Sequence, residues 1–204
     1  MAEEKINAAS ESEPATTVET TATEKAATVE HGLLIVHTGD GKGKTTAALG
    51  LALRAFGSGL RILILQFIKG SQRYGELDAI DWLSRVSNGR IAIKQCGLGF
   101  TSQGEPSEHE RAAKEAIALS TEAITSGKWD MVILDEINYA FTMNLISEAD
   151  LLKPIEARPE KVHVVMTGRN APQFLIDRAD LVTEMKLIKH PFLNGVYAQL
   201  GIEF

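Results

Sequence analysis

Between residues 38 and 46 the chain reads Thr38-Gly39-Asp40-Gly41-Lys42-Gly43-Lys44-Thr45-Thr46. An apolar run, Leu33–His37, precedes it, and an Ala- and Leu-rich stretch, Thr45–Phe56, follows. Few folds accommodate three glycines and two lysines between a strand and a helix. Glycine lets the backbone adopt conformations closed to other residues and approach an anion closely. Successive N–H groups then point inward at the positive end of a helix dipole. Gly39, Asp40, Gly41, Lys42, Gly43, Lys44, Thr45 and Thr46 are therefore expected to cradle phosphates. Lys44 reaches the terminal phosphates and the Thr45 hydroxyl is placed to ligate Mg²⁺ (or Mn²⁺). The loop departs from the usual G-x-x-x-x-G-K-[ST], because Thr38 occupies the first glycine position and Lys42 is additional. Two lysines, a nest of N–H groups and a metal suit a long polyphosphate held as a whole.

The rest of the chain supplies the framework such a loop requires. Five further apolar runs follow, at Ile62–Phe67, Ile91–Gln95, Met131–Leu134, Val162–Met166 and Leu181–Met185. Continuous runs of this length suit strands covered on both faces. Helical stretches lie between them. Ser107-Glu108-His109-Glu110 reads as a capping box opening a helix that ends near Gly127, and Ser147 or Asn144 can cap another that ends before Pro159. Strand–helix alternation predicts an α/β fold, an open, mostly parallel sheet with helices on both faces, of the P-loop NTPase-like kind.

A second motif is Met131-Val132-Ile133-Leu134-Asp135-Glu136, an apolar strand ending in two carboxylates. In an open α/β sheet the carboxyl ends of the strands form the ligand crevice. Asp135 and Glu136 are thus candidate metal-side groups beside Thr45, and the sequence does not distinguish which is the ligand.

Composition narrows the class. Residues 1–30 hold seven Glu and two Lys and carry −5 of the net charge of −6. They contain no aromatic residue and are expected to form an acidic, disordered tail in front of one domain, 31–204. The tail has neither the arginines of a mitochondrial transit peptide nor the apolar stretch of a signal peptide. The near-neutral body argues against a nucleic-acid coat, and no apolar run approaches the roughly 18 residues of a spanning helix. A single cysteine, Cys96, forms no internal bridge and points to a reducing, cytoplasmic setting. The histidines show no metal-ligand spacing.

The strings TGDGKGKTTAALGLALRA, LQFIKG, LDEINYA, TGRNAP and the closing ADLVTEM, KHPF and GIEF occur in order from Gly32 to Phe204. Together they resemble the P-loop type of cob(I)alamin (corrinoid) adenosyltransferase. The resemblance implies transfer of the 5′-deoxyadenosyl group of ATP to Co(I) of a reduced corrinoid, with release of triphosphate, in cobalamin biosynthesis or salvage. It also implies an external reductant or flavoprotein reductase, and a homodimer. By the same resemblance, Lys42 and Lys44 stabilise the leaving triphosphate and Arg54 touches the nucleotide. Phe100 packs against the lower face of the corrin. Two positions depart from the family. Ser102 stands where a Trp is expected, and the acidic tail is a poor match to the segment that covers the corrinoid. A small-molecule or nucleotide kinase shares the loop and the paired carboxylates, although it usually needs a lid with several arginines. A non-catalytic ATP- or corrinoid-binding regulator is the third reading.

Overall fold

The computed structural model describes residues 30–70, 73–99 and 104–204. Six strands, β1 (Leu34–Thr38), β2 (Ile62–Gln66), β3 (Ile91–Gln95), β4 (Met131–Asp135), β5 (His163–Thr167) and β6 (Leu181–Glu184), form one sheet in the order β3-β2-β4-β5-β1-β6. Every pairing is parallel. The connecting helices are α1 (Lys44–Gly57), α2 (Gly75–Val86), α3 (Pro106–Thr125), α4 (Ile137–Thr142), α5 (Glu148–Glu156) and α6 (Gln173–Ile176).

Alternate side chains of the inner strands feed two separate cores. Leu34, Val36, Leu65, Leu134 and Val164 pack beneath α3, α4 and α5. Ile35, Ile62, Ile64, Ile133 and Val165 pack beneath α1 and α2. Fully burying a branched side chain of this kind contributes about 1.5–3 kcal/mol. On α1 the buried residues are Lys44, Ala48, Ala52 and Ala55, a stripe of small side chains at helical spacing that brings the helix backbone close to the sheet. The expected helices on both faces are therefore present, and the sheet is wholly parallel.

Two local expectations change, and one choice between candidates is settled. Helix α3 starts at Pro106, with Glu105 as N-cap and no side-chain cap. Proline presets the first helical φ and forces its predecessor into extended backbone, so Ser107 lies inside the helix rather than capping it. Between the two candidates for α5, Ser147 is the cap, in a reciprocal box with Asp150. Strand β6 is not covered on both faces: all four residues are exposed, with Leu181 at 45% and Val182 at 38%. It pairs only with β1, at the edge of the sheet. Helix α2 was not anticipated, and Trp82 stands on it 63% exposed. No helix among the described residues is long and apolar enough to cross a membrane.

The register matters most for function. His37 lies opposite Thr167, and Gln66 opposite Asp135. The polar ends of β1, β5, β4 and β2 are thus level along one edge of the sheet.

Candidate nucleotide site

The phosphate loop leaves β1 and enters α1. Gly39 and Gly43 have φ of +94° and +108°, values that disfavour a side chain. The chain leaving β6 crosses the loop closely: a Cβ on Gly41 would lie 2.7 Å from the carbonyl oxygen of Lys186. The Gly41 N–H donates to the Met185 carbonyl at 2.7 Å. Lys44 is 7% exposed. Its Nζ donates to the carbonyls of Gly39 and Gly41, both at 2.7 Å. Burial lowers the pKa of this ammonium, and the nearby Glu136 opposes that shift.

Thr45, in the first turn of α1, donates its hydroxyl proton to Asp135 Oδ1 at 2.8 Å. Asp135 is 1% exposed and saturated. Its Oδ1 also accepts from the Thr167 hydroxyl at 2.8 Å, and its Oδ2 accepts from Gln66 Nε2 at 3.2 Å. Lys69 Nζ stands 3.6 Å from Oδ2 and donates to Glu76 at 2.9 Å. Burying a carboxylate without such partners would be costly. Glu136 caps α4 in a left-handed conformation, φ 64°. Its N–H donates to the Thr167 hydroxyl at 2.9 Å. Burial, and then the charge of Asp135, raise the Glu136 carboxyl above its ordinary range.

These groups surround one open cavity of about 650 Å³. Its walls include the loop from Asp40 to Thr46, then Lys69 and Glu76 from the β2 side, Glu136, Arg169, and the closing residues Gly201 to Phe204. Lys42 lies at the mouth, its Nζ 2.9 Å from Glu203 Oε1.

The structure therefore brings together Asp40, Gly41, Lys42, Gly43, Lys44, Thr45, Thr46 and Glu136 at the cavity, with Gly39 in the loop and Asp135 directly behind Thr45. Arg54 is elsewhere. It is exposed in the last turn of α1 and does not line the cavity. At 1.5 Å per residue it is about 15 Å along the helix from Lys44. Phe100 and Ser102 lie outside the described residues. Sequence reasoning missed Gln66, Lys69, Glu76 and Thr167. The signal for three of them was available, because Gln66, Lys69 and Thr167 stand at or just beyond strand carboxyl ends, where a parallel sheet gathers its ligand groups. Among the described residues no cluster of three His, Cys, Asp or Glu forms a metal cage.

Residues 30–204 match the family described as ATP:corrinoid adenosyltransferase BtuR/CobO/CobP. A corrinoid adenosyltransferase of a Sinorhizobium species is 42% identical over 179 residues, covering 87% of this chain and 82% of that protein. The corrinoid adenosyltransferase of Pseudomonas aeruginosa is 38% identical over 176 residues, 86% of this chain and 85% of the other. The flagellar accessory protein FlaH of Methanocaldococcus jannaschii is similar in fold, with a TM-score of 0.52 at 13% identity over 76% of this chain and 71% of that one.

Proposed function

The chain belongs to the ATP:corrinoid adenosyltransferase family, and from that premise we propose how its own residues carry out the transfer. It is a corrinoid adenosyltransferase, a P-loop enzyme acting on ATP and a corrinoid in cobalamin biosynthesis or salvage. In the proposed arrangement the triphosphate of ATP lies along Gly39–Thr46. The carrying observation is that both loop lysines and Thr45, itself bonded to Asp135 behind it, converge on one cavity. Lys44 has three donors, of which two now close on loop carbonyls. A phosphate oxygen in their place exchanges neutral acceptors for a charged one, a stronger bond.

The electron pair of Co(I) attacks the 5′-carbon of ATP. A Co–C bond forms, the C5′–O bond breaks, and triphosphate departs with the bonding pair. Cobalt carries no proton, so no general base is required. The protein orients the two substrates and neutralises charge on the leaving oxygen through Lys42, Lys44 and the loop N–H groups.

Hard oxygen donors at the loop fit a divalent cation, Mg²⁺ or Mn²⁺, which Thr45 and Glu136 would hold. The Thr45 hydroxyl gives its proton to Asp135, which leaves its oxygen lone pairs for the cation. Asp135 is occupied on both oxygens, so Glu136 is the carboxylate free to face the cation or its water shell. When bound, the cation adds positive charge beside the leaving phosphates.

Phe100 is proposed for the lower face of the corrin on the family resemblance. The same basis supports an external reductant or flavoprotein reductase and a homodimer, and the single cysteine supports a cytoplasmic setting. A kinase fits less well, because a lid needs several arginines at the cavity and Arg169 is the one arginine among the described residues that lines it. Arg158 instead donates to the carbonyls of Gly32 and Val162, and Arg178 donates to its own helix region at Phe174. The test is anaerobic incubation with ATP, Mg²⁺ and chemically reduced cobalamin. A light-sensitive adenosyl–cobalt spectrum with triphosphate as co-product is expected. Orthophosphate or ADP with cobalt unalkylated overturns the proposal.

A further inference from the structure

The closing GIEF string lies at the cavity, although no chemistry above uses it. Beyond Lys186 the chain carries many exposed apolar side chains, with Ile188 at 88%, Tyr197 at 79% and Leu200 at 82%. Burial therefore does little to anchor this segment. Its described backbone hydrogen bonds close on itself, as in Val196 N–H to Pro191 and Ile202 N–H to Gln199. Among the described residues one side-chain bond leaves the segment, from Lys42 Nζ to Glu203 Oε1 at 2.9 Å. Glu203 is itself held in place, because its Oε2 accepts the Gln199 N–H at 2.7 Å. Its side chain is 13% exposed against 46% for Lys42.

We infer that Glu203 is a displaceable internal anion that competes with triphosphate for Lys42, so that residues 187–204 are held to the loop through Glu203 and loosen when triphosphate binds. The inference rests on the reading of the loop as a triphosphate cradle. The Gln199 N–H, and then Lys42, lower the carboxyl pKa and keep Glu203 anionic at neutral pH. A triphosphate offers Lys42 more negative charge than one carboxylate, together with the loop N–H groups and Lys44. It therefore outcompetes Glu203. The exchange runs in reverse when the product leaves: Glu203 recaptures Lys42 and opposes rebinding of triphosphate. Glu203 is thus a positioning residue that acts through Lys42.

The experiment uses the full chain and inorganic triphosphate. Titration calorimetry compares the unaltered protein, Glu203→Gln, Lys42→Ala and the double variant. Glu203→Gln keeps an oxygen acceptor for Gln199 and removes the charge. It is expected to bind triphosphate about two- to fivefold tighter, the scale of one exposed ion pair. Without Lys42 the same substitution is expected to change nothing. Hydrogen exchange is expected to quicken across 187–204 on triphosphate binding in the unaltered protein, and to be already quick in Glu203→Gln. Equal affinities with Lys42 present overturn the role of Glu203, as does exchange in 187–204 that ignores triphosphate. Absence of any triphosphate binding overturns both this inference and the cradle reading.

Discussion

The hydroxyl of Thr45 gives its proton to Asp135 Oδ1 at 2.8 Å, joining the start of α1 to the end of β4. That direction of donation leaves the Thr45 oxygen lone pairs available to accept or ligate. Thr45→Val keeps the shape and removes the oxygen. It is expected to lower kcat/KM by about 10²-fold, the loss typical of one transition-state donor or ligand, and to raise the cation concentration needed for half-maximal rate. Thr45→Ser restores most of both. A valine variant with unchanged cation dependence removes Thr45 from the metal side.

Lys44→Ala is expected to cost at least about 2 kcal/mol of transition-state stabilisation, or roughly 30-fold in kcat/KM. Lys44→Arg should not rescue it, because the ammonium sits 7% exposed between two loop carbonyls and a planar guanidinium is a different shape. Steady-state kinetics with ATP and reduced corrinoid decide this. An unchanged kcat/KM for the alanine variant excludes Lys44.

Thr167 serves both acidic residues, donating to the Asp135 carboxylate and accepting from the Glu136 backbone N–H. Thr167→Val leaves a buried N–H and a buried carboxylate oxygen each one partner short. Such loss costs about 1–3 kcal/mol, visible as a lower midpoint in urea. Activity should fall as Glu136 loses its fixed position, and Thr167→Ser should recover both quantities. Valine and serine variants of equal stability would remove this hydroxyl from the account.

Acid stability offers a test away from the cavity. Asp130 accepts two side-chain hydrogen bonds and one backbone N–H from Arg61. The Arg61 side chain holds the Asp130 carboxyl below its usual range. The folded pKa is lowered, so the stabilisation is complete above the unfolded value near about 4 and disappears as pH falls through the folded value. Asp130→Asn should therefore lower stability at pH 7 and show a shallower loss on acidification. Parallel stability–pH curves for the two proteins would contradict the pairing.

The strands were legible because each is a short apolar run bounded by turn residues, and the loop because glycine and lysine at that spacing serve few other purposes. Helix α2 was not legible: Gly75-Glu76-Leu77-Asp78 is polar at its start, and one residue of the helix, Ile80, is fully buried. The start of α3 misled because a capping-box pattern and a proline competed, and proline's fixed φ prevailed. Strand β6 reads like the inner strands, since composition carries no information on whether a neighbour covers it. The loop and the acidic pair stood out by residue type. Gln66 and Lys69 did not, because their role depends on β2 lying directly against β4 in register, a neighbour relation between residues 69 apart. Arg54 shows the converse, a residue taken from a motif that the helix carries away from the cavity.

Strand β5 lies between β1, which launches the loop, and β4, which delivers Asp135. The contact between Leu33 and His163 that seats it spans 130 residues. Long-range parallel pairing of this kind forms slowly during folding. A nascent chain that has emerged only through β4 already contains both members of the Thr45–Asp135 pair but lacks the spacer that sets their separation. The site comes into being only once the sheet has been interleaved by a late-synthesised strand, so competence to bind nucleotide reports completion of folding.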